Sequence, residues 1–208
     1  MQTEQSTLRF GEPLATARGA LIFIHGRGSS PEDIAGLAES LDVERLALLA
    51  PAAEGNVWYP QRFFVPLAQN EPWLSRALAT VEGLVGEIVS AGISAEKIGL
   101  IGFSQGACLA VEHAARAGRR YGFVGALSGA LIGPQSTPRG KTDLQRTPIL
   151  LGCAEGDAHI PLAFVEQSAT TLADLNANVT KQIYRGSAHT VFPQEITWLN
   201  EQLGKLSL

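Results

Sequence analysis

The sequence predicts an α/β protein, a mostly parallel sheet with helices on both faces, and three observations carry that expectation. Short apolar runs alternate with longer segments of helical period. Most of those runs are almost continuously hydrophobic, the pattern of strands buried on both faces. Four of the five helical segments open on a proline, which tolerates the first turn of a helix because its missing N–H would have no acceptor there.

The elements follow in order. Leu8–Phe10 is short and reads as an antiparallel edge strand, and Ala20–Ile24 is the first run apolar at every position. Pro31–Leu41 is the first helical segment, followed by the strand Leu46–Ala50. Pro72–Ala91 is the longest helical segment, and Lys97–Ile101 the next strand. Gln105–Ala117 is helical and ends near Arg116, Arg119 and Arg120, cations that suit the carbonyl end of a helix better than they suit a nucleic-acid site. Phe123–Leu127 and Pro148–Gly152 are strands separated by a polar stretch, Pro134 to Arg146, that reads as a surface loop. Helix Pro161–Leu175, strand Val179–Tyr184 and helix Pro193–Leu203 complete the alternation.

The chain has 208 residues, 45% hydrophobic and 17% charged, enough for one well-buried core and too few for two ordinary domains with a linker. A single domain over residues 1–208 is expected, since no low-complexity tract, charge block or repeat divides it. A net charge of −4 without a basic patch argues against nucleic acid as a partner. Met1 to Arg9 lacks the pattern of a signal peptide, and no apolar run approaches bilayer length, so a cytoplasmic protein without membrane association is expected. Cys108 and Cys153 fall on a predicted buried helix face and at the end of a predicted strand. They have no metal-ligand spacing and read as free, buried thiols.

Chemistry enters at Gly102-Phe103-Ser104-Gln105-Gly106, which lies between a predicted strand and a predicted helix. In a G-x-S-x-G elbow the chain turns so sharply that the flanking positions have no room for a side chain, and the serine is exposed at the strand's end. A serine at its own pKa is a poor nucleophile, so Ser104 needs a base and a third group to orient that base. Where such an elbow is found, the acid and then the histidine follow the serine along the chain. Of the four histidines, His25 precedes Ser104, His113 lies inside the following helix, and His159 stands two residues beyond the best acid. His189 is left, in the loop after the last strand. Asp157 follows the strand Pro148–Gly152 and is the chosen acid, with Glu155 as the alternative. All the chosen residues come just past strands, where open sheets bind ligands.

Two backbone N–H groups are also needed for the oxyanion of a tetrahedral intermediate. Gln105 supplies one at the start of its helix; Arg27, in His25-Gly26-Arg27-Gly28, supplies the other. His25 reads as a residue that bonds the loop backbone. For the Arg27 side chain two placements are open, toward an anionic or polar substrate group or out into solvent. The segment Pro51 to Glu71 is long for a connection and holds Trp58, Tyr59, Phe63 and Phe64. Trp58, Tyr59 and Phe63 are expected to form an apolar wall for substrate, with packing of the loop as the alternative for Phe63 and Phe64.

The chain resembles the phospholipase/carboxylesterase family of small α/β-hydrolases, which includes acyl-protein thioesterases. The resemblance runs nearly end to end and rests on His25-Gly26-Arg27-Gly28, Gly102-Phe103-Ser104-Gln105-Gly106-Ala107, Gly156-Asp157 with Ile160-Pro161, and Gly186-Ser187-Ala188-His189-Thr190. It implies a single-domain α/β-hydrolase fold, here without a lid domain, and a serine esterase that uses no metal and no organic cofactor. Eukaryotic thioesterases of this kind usually carry an apolar residue where this chain has Arg27, which points to a simpler carboxylesterase. The expected substrate is a small-molecule ester and the expected assembly a monomer or homodimer. Thioesterase or lysophospholipase activity is the nearest alternative, and a ligand-binding protein on the same fold is the alternative of a different class.

Overall fold

A computed structural model describes residues 6–206. The described chain forms a seven-stranded sheet from β1 (Thr7–Gly11), β2 (Gly19–Ile24), β3 (Leu46–Pro51), β4 (Ile98–Phe103), β5 (Phe123–Leu127), β6 (Pro148–Ala154) and β7 (Asn178–Tyr184). The strand order is β1-β3-β2-β4-β5-β6-β7. β1 runs antiparallel to β3 at one edge, and every other pairing is parallel. The helices are α1 (Pro31–Ala35), α2 (Trp73–Ser90), α3 (Gln105–Ala117), α4 (Leu162–Asp174) and α5 (Pro193–Leu206).

Side chains on a strand alternate between faces, and β2 shows how this divides the core. Leu21 and Phe23 pack with Ile34, Trp198, Leu199 and Leu203, under α1 and α5. Ala20, Ile22 and Ile24 face the other way, into the cluster that holds Leu74, Val81, Leu109 and Val165 of α2, α3 and α4. Both faces are therefore covered, which is why the central strands are apolar at every position. Cys108 and Cys153 are buried free thiols within this core.

Two differences from the sequence expectation have local causes, and a third segment agrees with it while being more firmly held than a free loop. The first helical segment breaks after Ala35 into a tighter turn over Gly36–Ser40. Gly36 is a poor helix former, and the turn delivers Leu41 into the α1/α5 side of the core. β4 runs two residues further than expected, to Phe103, so the strand leads straight into Ser104. The polar stretch between β5 and β6 has no helix, yet it is tied down by Arg139, whose guanidinium binds the buried Glu112 carboxylate at 2.6 Å. Arg116 also pairs with Glu112, Arg119 pairs with Glu82, and Arg120 donates to the Gln145 carbonyl.

Candidate active site

Ser104 stands between β4 and α3 with φ 55° and ψ −117°, a backbone conformation that an L-residue holds only under strain. A Cβ at Gly102 would run into the Gly106 carbonyl, and one at Gly106 into the Ile24 carbonyl of the neighbouring strand. Those two close approaches are the physical content of the glycines in the motif. The Ser104 N–H donates to Leu127 O at 2.9 Å, so β5 braces the turn.

Ser104, His189 and Asp157, drawn from the ends of β4, β7 and β6, meet here. The Ser104 hydroxyl lies 2.8 Å from His189 Nε2, and His189 Nδ1 lies 2.7 Å from Asp157 Oδ2. The second Asp157 oxygen accepts N–H bonds from His159 at 2.7 Å and Ile160 at 3.2 Å. Burial pushes the Asp157 carboxyl up, but the His189 bond and the two backbone N–H groups outweigh it and hold the pKa below its ordinary value. An ionised Asp157 fixes His189 with its proton on Nδ1, leaving Nε2 free to accept from Ser104. Glu155 takes no part: its N–H bonds Tyr184 O and its carboxylate accepts weakly from the Gly186 N–H. His113 is buried against Tyr121, 2.9 Å from its hydroxyl.

The loop after β2 brings Arg27 beside the elbow. Neither the Arg27 nor the Gln105 N–H has an acceptor among the described residues, and both residues line the same cleft as Ser104. His25 is fully buried and neutral, with burial lowering its pKa. It donates to Gly26 O at 2.8 Å and accepts from the Ala53 N–H at 3.1 Å, so it staples the loop.

The Arg27 side chain is exposed and lines the cleft, as both placements left open by the sequence allow, and it also binds back onto the protein. Its guanidinium donates to the carbonyls of Tyr59, Pro60 and Gln61 at 2.8, 3.1 and 2.8 Å. Those carbonyls belong to an irregular segment without a ladder partner, and a planar fork of donors satisfies three at once. Gln105 grips the same segment, accepting from the Trp58 N–H at 3.0 Å and donating to Tyr59 O at 2.8 Å. The two cleft-lining residues whose N–H groups lack an acceptor thus hold the Tyr59 carbonyl between their side chains.

The cleft has a volume of about 520 Å³. Although Tyr59 and Phe63 are buried and offer it little surface, both line it, as does Phe103. Trp58 does not, which corrects its expected place in the wall. It is only 2% exposed, its indole N–H donates to His25 O at 2.9 Å, and its ring lies 4.9 Å from the His25 ring. Phe63 serves both purposes, facing the cleft while packing edge-on against Phe64 and Phe164. The sequence argument missed His159, which lines the cleft with its ring 4.6 Å from that of His189. Its position two residues after Asp157, in the turn that binds the carboxylate, was the available signal.

A family model described as phospholipase/carboxylesterase matches residues 9–207. The chain belongs to the phospholipase/carboxylesterase family. A solved family structure from Dyadobacter fermentans, a phospholipase/carboxylesterase, is 40% identical and superposes with a TM-score of 0.91 over 97% of both chains. Acyl-protein thioesterase 1 of Saccharomyces cerevisiae is 27% identical over 91% of this chain and 93% of its own. The structure of Zea mays acyl-protein thioesterase 2, at 20% identity and a TM-score of 0.72, shares the fold over 97% of this chain and 99% of its own. Membership makes the protein an α/β-hydrolase of the esterase and thioesterase kind. No helix among the described residues is long and apolar enough to cross a membrane.

Proposed function

We propose that the protein is a serine carboxylesterase that hydrolyses small to medium carboxylic esters through an acyl-enzyme on Ser104. The observation that carries this reading is the unbroken hydrogen-bond chain from Ser104 Oγ through His189 to Asp157 at a strained strand-to-helix turn. Ser104 Oγ attacks the ester carbonyl while His189 Nε2 takes its proton; the tetrahedral oxyanion is held by the Arg27 and Gln105 N–H groups. Collapse expels the alcohol, which receives the proton from His189. Water then repeats the sequence on the acyl-enzyme and releases the acid. Asp157 stays ionised throughout and orients the imidazole. Tyr59 and Phe63 contact the apolar part of the substrate. The reading requires no metal or organic cofactor, and it includes a cytoplasmic location, which the two buried free thiols support.

Thioester hydrolysis proceeds through the same intermediate, and the thioesterase relatives favour it as a second reading. Rates on para-nitrophenyl esters from acetyl to dodecanoyl, with the matching acyl thioesters, test both against Ser104→Ala. The variant is expected to lose at least about 1,000-fold in kcat/KM. A peak at short acyl esters supports the carboxylesterase, and a peak at long acyl thioesters supports the alternative. Full activity in Ser104→Ala would exclude the serine mechanism, and no turnover by the wild type would leave a binding protein.

A further inference from the structure

The residues around the cleft are one-sided in charge. Arg27 and Arg62 line it and no carboxylate does, although the chain as a whole carries a net charge of −4. The nearby Asp157 is buried behind His189 and already hydrogen bonded. Arg27 has carbonyl partners but no carboxylate to neutralise it.

Arg62 differs from the arginines that brace the fold. Arg9, Arg116, Arg119 and Arg139 all pair with glutamates. The Arg62 guanidinium makes no hydrogen bond or ion pair among the described residues; its contact is with the Phe64 ring, 5.6 Å from carbon ζ to the centroid. Its backbone is nonetheless fixed. The buried Asn70 side chain accepts from the Gln61 N–H at 2.8 Å and donates to Arg62 O at 3.2 Å. A rigid segment therefore presents a free planar cation, resting on an aromatic ring, at a cleft with no counter-charge. Such a fork matches an oxyanion group, and the exposed guanidinium is open to one.

We propose that Arg62 selects substrates that carry a second, anionic group, a carboxylate or a phosphate, in addition to the scissile ester. The proposal rests on the ester-hydrolase reading above. It makes Arg62 a specificity residue that acts on substrate binding, so its effect falls on KM more than on kcat.

The test compares charged and neutral esters of matched shape on the wild type, Arg62→Gln, Arg62→Lys and Arg62→Glu. Para-nitrophenyl hydrogen glutarate against para-nitrophenyl pentanoate places the charge on the acyl side. Para-carboxyphenyl and para-phosphophenyl butyrate against phenyl butyrate place a carboxylate or a phosphate on the alcohol side. In at least one pair the charged-to-neutral ratio of kcat/KM is expected to fall about tenfold in Arg62→Gln, equivalent to about 1.4 kcal/mol. It should fall further in Arg62→Glu and recover in part in Arg62→Lys. Added salt should erode the wild-type ratio. A structural role for Arg62 would lower the rates on both members of a pair and leave the ratio alone. Ratios unaffected by the variants in every pair overturn the proposal while leaving Ser104-dependent hydrolysis standing. No turnover of any ester would instead remove the reading it rests on.

Discussion

Two long irregular segments, residues 52–72 and 128–147, are both anchored on α3, and by opposite means. Gln105 holds the first through neutral bonds to the Trp58 N–H and Tyr59 O. Glu112 holds the second through its carboxylate, which accepts from the Ile132 N–H at 3.0 Å and pairs with Arg139 and Arg116. The two residues are seven apart, two helical turns, and so project from the same face of α3. The amide anchors the segment that lines the cleft, whereas the ion cluster anchors a segment that packs Ala130, Leu131 and Leu144 onto the core. The Gln105 amide binds its segment without adding net charge beside Ser104, whereas the Arg27 guanidinium brings a cation to the same segment.

The largest effect expected from breaking this arrangement is at Glu112. Glu112→Ala strands two arginines and the Ile132 N–H, and removing one partner of a buried pair typically destabilises by about 3 to 5 kcal/mol. Arg139 and Arg116 retain 16% and 42% exposure and can turn toward water, so about 3 kcal/mol is expected. Urea unfolding measures it, and ester turnover by the fraction that remains folded should stay within about threefold of wild type. A loss below about 1 kcal/mol would mean that the ion cluster does not hold the segment.

Gln105→Ala should show the reverse balance. It leaves the Trp58 N–H buried without an acceptor, while Tyr59 O keeps its bond to Arg27. About 2 kcal/mol of stability is expected to go, and kcat should fall about tenfold because the wall and the Arg27 N–H lose a common anchor. An equal loss of stability with unchanged kcat would show that the two anchors differ in chemistry alone.

The sheet was legible because burial on two faces leaves a mark in every central strand, and β2 to β6 carry it. That Ser104, Asp157 and His189 would meet was legible because chain order and strand ends restrict where side chains can come from, even across the 85 residues between Ser104 and His189. Side-chain destinations left no such mark. Nothing local told that the Arg27 guanidinium would turn onto three carbonyls 32 to 34 residues away, that Trp58 would tuck under His25, or that Arg139 would find Glu112. Each is a long-range polar contact without periodicity, settled only when the elements have packed. The early end of α1 at Gly36 was closer to the surface of the sequence, since glycine disfavours helix whatever lies around it.

A second buried carboxylate sharpens the contrast with Glu112 by lacking its arginines. Glu195, in the first turn of α5, accepts from the Phe192 N–H at 2.7 Å through Oε2, while Oε1 has no partner among the described residues. Burial pushes its pKa up to about 7, against the lowering effect of the Phe192 bond. The folded protein therefore holds a proton that the unfolded chain gives up near 4.5, so this group's stabilising protonation is fully present below about 4.5 and is lost as pH rises through about 7. Glu195→Gln keeps an acceptor for Phe192 and removes the titration. The variant and wild type should melt together at pH 4.5, and at pH 8 the variant should be more stable by on the order of 1 kcal/mol, a shift of about 2 to 4 °C. An equal offset at both pH values would mean that folding does not raise the Glu195 pKa, and a carboxylate without arginines would then be as well accommodated as Glu112.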